Sequence, residues 1–292
     1  MLDEILIIIV RGIAIGSIFS TIAMSFNIVH GATGILNFAQ GNMLVLGGFV
    51  AFFFANDAGL AQWLFFLPVA GLLLAAIVAF QGWITLLPLR TSAEQDSWII
   101  STVSVSVIMG AVLLITQGPF AYSVNGVVPS FRLLGVRTPG AYGLAIGCAL
   151  FWFFALRYFL RHTFTGLAIS ALRQDMDAAR AAGLPVRKLQ IISFAISGLI
   201  IGTAGFLVAP VISVSSDAGL RYVLNGFVAA VVGGIGSNLG TLIGGPLVGV
   251  VGMLTAYKVG GAYQDLASLL LLVVILMFRP QGIFGRASAR QV

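Results

Sequence analysis

No Asp, Glu, Lys or Arg occurs between Gly12 and Asn56, a run of 45 residues. About 20 apolar residues carry a helix across the hydrocarbon core of a bilayer, so this run must cross and return. Charge-free runs recur at 58–89, 97–131, 138–156, 189–216 and 222–257. A water-soluble globule is excluded, because only 8% of the 292 residues are charged and mean hydropathy is +1.08, against roughly 25% charged in a soluble domain. Disorder is excluded by the same figures. The runs lack the period-two alternation of a barrel strand, which leaves helices. The chain reads as one all-α integral membrane domain over 1–292.

Spans are expected near 4–29, 34–55, 62–87, 98–117, 140–160, 190–211, 241–257 and 264–278. A shorter apolar segment, 222–235, is either a ninth crossing or a half-helix, giving eight to nine transmembrane helices. Sidedness follows from Arg and Lys, which concentrate on the cytoplasmic side. Arg157, Arg161, Arg173, Arg180, Arg187 and Lys188 cluster in one stretch, and Arg279, Arg286 and Arg290 follow the last span. Both segments are therefore expected inside. Counting crossings back places Arg90 inside and the N-terminus outside. The net charge of +6 is explained by these loops and does not require a nucleic-acid partner. The acidic start, Met1-Leu2-Asp3-Glu4, has no basic n-region, so the first hydrophobic segment is expected to be retained. A single cysteine, Cys148, permits no intrachain disulfide.

Many glycines lie four apart: Gly12 and Gly16, Gly143 and Gly147, Gly198 and Gly202, Gly245 and Gly249. That spacing lets helix backbones approach closely and is chiefly a packing signal. Two patches differ from it. One is Gly31-Ala-Thr-Gly34-Ile-Leu-Asn37-Phe-Ala-Gln40-Gly41-Asn42; the other is Gly233-Gly234-Ile-Gly236-Ser237-Asn238-Leu-Gly240, continuing to Pro246. Each mixes Gly with amides or hydroxyls inside an apolar run. Backbone freed from a helix at membrane depth is tolerated only against protein or a wet cavity. Paired interrupted helices are the best sequence pointer to a transport path.

The inner loop, about 161–189, is expected to be structured. Thr165 can cap a short helix over Gly166–Arg173. Asp175 or Asp177 can start a second, which Gly183 and Pro185 stop. A folded, mixed-charge element at the membrane face suits docking of a partner.

Catalytic chemistry is sparse. His30 and His162 are the only histidines, and no HExxH motif or Cys/His cluster offers a metal site. A P-loop needs Gly-Lys followed by Ser or Thr. The two lysines follow Arg187 and Tyr257 instead. Uphill transport would therefore draw its energy from another polypeptide, and no cofactor is expected on this chain. A stand-alone channel needing no partner is the alternative class. A membrane-embedded enzyme is disfavoured because no catalytic constellation is visible.

Four segments together resemble the permease subunits of branched-chain amino-acid ABC importers, the LivH-type half. They are Gly31 to Gly48; Thr165-Gly166-Leu167-Ala168 with Arg173, Asp175, Ala178, Ala179 and Gly183; Gly233 to Ser237 with Gly240 and Gly244; and Arg279-Pro-Gln-Gly-Ile-Phe-Gly285. The likeness covers essentially the whole chain. Asp177-Ala178-Ala179-Arg180-Ala-Ala-Gly183 is similar to the Glu-Ala-Ala-x-x-x-Gly coupling loop of ABC permeases, with Asp in place of Glu. The resemblance implies alternating access in a bacterial inner membrane. It implies a second homologous permease subunit, two cytoplasmic ATP-binding subunits that hold ATP and Mg, and an extracytoplasmic solute-binding protein. From the two Gly-rich interruptions, Gly34, Asn37, Gln40, Gly41, Asn42, Gly233, Gly234, Gly236, Ser237, Asn238 and Gly240 are expected to line the path or break its helices. Arg173, Asp175, Asp177, Ala178, Ala179, Arg180 and Gly183 would form the ATPase-coupling element. Family members often carry His and then Gly-Glu after Asn-Phe-Ala; here Gln40, Gly41 and Asn42 stand there. That departure leaves urea or short amides, and aromatic or aliphatic carboxylates, open beside branched-chain amino acids.

Overall fold

The computed structural model describes residues 2–56, 59–86, 97–133 and 136–285. Arg90, Arg286 and Arg290, used above for sidedness, lie outside the described residues. In chain order the elements are α1 (Leu2–Thr33), α2 (Gln40–Ala55), α3 (Leu60–Thr85), α4 (Ser97–Gln117), β1 (Phe131–Leu133), β2 (Val136–Thr138), α5 (Gly140–His162), α6 (Phe164–Gln174), α7 (Met176–Ala181), α8 (Val186–Val208), α9 (Ala218–Gly233), α10 (Asn238–Lys258) and α11 (Gln264–Phe278). β1 and β2 make one small antiparallel hairpin on an otherwise helical body.

Among the described residues, seven helical segments are long and apolar enough to cross a membrane: α1, α3, α4, α5, α8, α10, and α11 with the 3-10 turn before it. The chain is thus an all-α, multi-pass membrane protein. The other two apolar helices, α2 and α9, have 16 residues each. At 1.5 Å per residue that is about 24 Å, short of a core roughly 30 Å thick. The expected span at 34–55 is corrected at its start, since helix begins only at Gln40. Gly34 leaves the helical region with φ +73°, and local side-chain bonds hold the next residues off the helix. The segment expected at 222–235 is helical from Ala218, so it includes Arg221.

Close glycine packing fixes α1 against α10. A Cβ on Gly16 would stand 2.3 Å from the Gly245 carbonyl oxygen, and one on Gly249 2.1 Å from that of Gly12. Without a hydrophobic drive between helices in lipid, this intimacy supplies the dispersion contact. Gly198 does the same for α8 on α3, where a Cβ would come within 2.4 Å of the Leu74 carbonyl. Gly143 and Gly147, read above as a packing pair, are different. Gly147 faces open space and Gly143 meets only the Phe131 ring. Both line an apolar groove with Leu67, Cys148, Trp152 and Leu207.

The two ends of the bundle differ. At one, the hairpin end, Tyr122 and Val214 exchange backbone hydrogen bonds at 2.9 Å, and Ser216 donates to the Gly118 carbonyl at 2.7 Å. At the other, the loop end, α6 packs on α1, with Arg173 against Gly31, and α7 packs on α8, with Met176 against Gln190.

Candidate functional site

The chain leaves helical geometry twice inside the bundle, between α1 and α2 and between α9 and α10. In the first break the Thr33 hydroxyl accepts from the Ile35 amide at 3.1 Å, and the Asn37 carboxamide oxygen accepts from the Ala39 amide at 3.1 Å. These local bonds compete with the helix ladder. Asn37 and Gln81 of α3 form a reciprocal amide pair at 3.1 and 2.7 Å. Gln40 donates to Ser197 of α8 at 2.6 Å and accepts from the Ser25 hydroxyl of α1. Asn42 donates to the backbone and side-chain oxygens of Ser106 in α4 at 2.6 and 3.0 Å. Each amide thus binds different helices. Asn37 and Gln40 are fully buried, where an unpaired polar group is costly, so this pairing pins the break to the bundle.

The second break runs over residues 234–237. Ser237 caps α10, its hydroxyl accepting from the Gly240 amide at 3.1 Å. Gly236 has φ +86°, a conformation that favours glycine. Its amide donates to Asn27 of α1 at 2.7 Å, and Asn27 donates in turn to Asn238 at 3.1 Å. The Gly236 carbonyl accepts from the Arg173 guanidinium. The tail straps the same place: the Ile283 amide donates to Val232 at 2.9 Å and that of Phe284 to Gly233 at 3.1 Å. Gly240 lies on Gly233, since a Cβ on it would stand 2.0 Å from the Gly233 carbonyl oxygen.

Helix α1 joins the two breaks. Ser25 serves the first and Asn27 the second, two residues or roughly 200° apart around the helix. The first turns of the short helices also meet. A Cβ on Gly41 would lie 1.9 Å from the Gly219 carbonyl oxygen, and one on Gly219 1.8 Å from the Asn42 carboxamide oxygen. Helix N-termini carry unpaired amides and partial positive charge. Their meeting sets two polar helix ends side by side within an apolar bundle.

The loop element is tightly built. Thr163, not Thr165 as expected above, caps α6: its hydroxyl donates to the Phe159 carbonyl at 2.8 Å and accepts from Gly166 at 3.0 Å. One side chain thereby closes α5 and opens α6, which fixes the sharp corner between them. Asp175 caps α7 by accepting from Ala178 at 2.9 Å. The helix ends in a Schellman motif, with Leu184 donating to Ala179 at 3.1 Å and Gly183 to Arg180 at 3.0 Å. Gly183 has φ +80°. Ala179 is buried, whereas Asp177 and Arg180 pair at 3.4 Å with side chains 93% and 64% exposed. A groove of about 580 Å³ runs beside α7, lined by Thr33, Ile35, Leu86, Arg180, Arg187 and Gln190 among others.

The residues that sequence reading passed over are the partners: Ser25, Asn27, Gln81, Ser106, Ser197 and Gly219. Asn27 is the one amide side chain in α1, and a lone amide in so apolar a helix was the available signal. Arg221 of α9 and Asp265 of α11 pair at 2.9 Å, and Asn225 also donates to Asp265 at 3.0 Å. This joins α9 to α11 near the hairpin end. Among the described residues no group of three or more His, Cys, Asp or Glu could hold a metal.

The profile of the family described as branched-chain amino acid transport system, permease component, matches residues 8–278. The high-affinity branched-chain amino acid transport system permease protein LivH of Salmonella typhimurium is 27% identical, over 97% of this chain and 96% of its own. The corresponding BraD protein of Pseudomonas aeruginosa is 26% identical, over 97% and 96%. The ribose import permease protein RbsC of Escherichia coli is 27% identical, over 89% and 82%. With a match that spans both breaks and the loop element, the chain belongs to the branched-chain amino acid transport permease family.

Proposed function

We propose that this chain is the single-domain permease subunit of an ATP-driven ABC importer that carries branched-chain or related amino acids by alternating access. Its partners are a second homologous permease, two cytoplasmic ATP-binding subunits that hold ATP and Mg, and an extracytoplasmic solute-binding protein. The observation that carries the reading is the pairing of two internal helix breaks with a folded loop element hydrogen-bonded to one of them through Arg173 and Gly236. Branched-chain amino acid permeases among the relatives support the cargo class. The absence of a Gly-Lys dipeptide leaves ATP binding to other subunits.

Nine crossings, in which α2 and α9 are completed by the non-helical residues of the breaks beside them, put the N-terminus outside and the C-terminus in the cytoplasm of the inner membrane. The positive-inside rule supports this, because Arg157, Arg161, Arg173, Arg180, Arg187, Lys188 and Arg279 gather at the loop end. The loop element is then the cytoplasmic coupling element. The exposed pair Asp177 and Arg180 on α7 faces the ATPase, and the hairpin end receives the binding protein. Asn37 in the first break with Gln40 and Asn42 at the start of α2, and Ser237 in the second break with Asn238 at the start of α10, border the path, which opens as their pairings exchange.

A second cargo class is a neutral polar solute. The first break holds amides and no ionisable side chain, and a ribose permease is among the relatives.

Proteoliposomes holding the complete complex, supplied with ATP and loaded binding protein, test the reading through uptake of labelled leucine, with ribose as comparison. Leucine uptake that requires ATP is expected; flux through the isolated chain without ATPase would favour a channel instead. Asp177→Arg with Gly183→Pro should abolish both uptake and ATPase association. Unchanged uptake and association would remove α7 from the coupling role.

A further inference from the structure

We infer that Arg173 is a positioning residue that carries displacement of the loop element directly to the break between α9 and α10. The inference rests on the ATP-driven reading above and adds the route by which force reaches the path. Arg173 stands in the last turn of α6, two residues before the Asp175 cap of α7. Its guanidinium donates to the Gly236 carbonyl, a charge-assisted bond stronger than one between neutral groups.

Two glycines make room for this reach. The side chain passes over Gly31 of α1, where an added Cβ would stand 3.3 Å from the Arg173 Cδ; one on Gly236 would stand 2.2 Å from a guanidinium nitrogen. Gly236 is therefore held on both flanks, its amide by Asn27 on α1 and its carbonyl by Arg173 on α6. The α6 end of the tie is firm, because Ala168, Ile169 and Leu172 are buried. When α6 and α7 move against α1, Arg173 must either draw Gly236 with it or release it. Drawn along, Gly236 carries the motion into the α9–α10 break; released, its carbonyl loses this donor and Asn27 alone of the two flanking side chains still holds it. The acid and base offered to a docking partner are Asp177 and Arg180, while Arg173, itself partly exposed, reaches across Gly31 to the Gly236 carbonyl.

A static anchor and a transmitting tie predict different outcomes for Arg173→Gln in the complete complex. For the tie, ATPase co-purification is kept and ATP turnover stays within twofold, while leucine uptake falls at least tenfold. Ile235 is exposed within the break, so Ile235→Cys gives a second readout that does not depend on the cargo. Its maleimide labelling should change on addition of ATP and vanadate with Arg173 present, and lose that response with Gln. Arg173→Lys, which keeps charge and one donor, should recover part of the uptake and part of the response.

Parallel loss of uptake and ATP turnover, loss of ATPase association, or unchanged uptake would each overturn the tie. Should the Gln variant fail to fold into the membrane at all, the Lys variant is judged by the same ratio of uptake to ATP turnover. Absence of ATP-dependent uptake and of any labelling response with Arg173 intact would sink the importer reading itself. A labelling response without leucine uptake would change only the cargo, and the comparison of Arg173 variants would then decide the tie.

Discussion

Asn27 accepts a 2.7 Å hydrogen bond from the Gly236 amide and donates at 3.1 Å to the Asn238 side chain. One α1 residue thereby holds both the turn of the second break and the first residue of α10. Asn27→Leu keeps the volume and removes both bonds. A buried amide left without its partner costs about 1–3 kcal/mol. The detergent-solubilised variant should unfold at lower temperature, and its uptake should fall. An unchanged unfolding midpoint would mean that Gly236 does not depend on Asn27.

The contact of α2 with α9 predicts a sharp contrast between two glycines. In Gly219→Ala the new methyl would overlap the Asn42 carboxamide oxygen, 1.8 Å away. Asn42 would then have to leave Ser106, disturbing the first break from the opposite helix. Uptake should fall at least tenfold, by analogy with the roughly 1–3 kcal/mol cost of overpacking a tight contact. Gly147→Ala points into open space, and its effect on stability should stay within about 0.5 kcal/mol. Equal behaviour of the two variants in uptake and unfolding would contradict the α2–α9 junction.

Both breaks were legible in the sequence because Gly, Asn, Gln and Ser interrupted apolar runs at 31–42 and 233–246. Their partners were not legible. Asn27 meets Asn238 across 211 residues, and only the packing of α1 on α10 decides that meeting. Arg173 reads in the sequence as part of the ATPase-coupling element, with nothing to tie it to the 233–240 patch; the corner set by Thr163 turns α6 so that its guanidinium reaches Gly236. Spacing also failed to separate Gly143 and Gly147 from Gly12 and Gly16. A four-residue period names a face of a helix and does not say whether another helix covers it. The late start of α2 escaped because residues 34–39 are as apolar as a helix and differ only in the bonds made by Thr33 and Asn37.

Pro246 has no amide to give the Leu242 carbonyl one turn earlier, and the Ser20 hydroxyl of α1 stands 3.4 Å from that oxygen as a substitute donor. Ser20→Ala should therefore cost more with Pro246 present than in a Pro246→Ala background, where the backbone amide returns. The coupling expected from a double-mutant cycle is about 0.6 kcal/mol, typical of hydrogen bonds between membrane helices. Unfolding in mixed detergent and SDS micelles measures it. Strict additivity would show that Ser20 serves only its own helix, where it donates to the Gly16 carbonyl at 3.2 Å.

A disulfide can report the seat of α6 on α1. A Cβ built on Gly31 lies 3.9 Å from the Arg173 Cβ, inside the range of about 3.5–4.5 Å that a disulfide spans. Cys148 is the one native cysteine and is buried, so it competes little for oxidant. Gly31→Cys with Arg173→Cys should lose its maleimide-reactive thiols on mild oxidation of the nucleotide-free complex and regain them with reductant. Gly147→Cys with Arg173→Cys should keep its thiols, because position 147 faces the groove beside Trp152. Nucleotide that drives α6 away from α1 should slow the Gly31–Arg173 bridge. A bridge that forms at the same rate with and without ATP and vanadate would show α6 and α1 moving as one body, leaving the Arg173 side chain nothing to transmit.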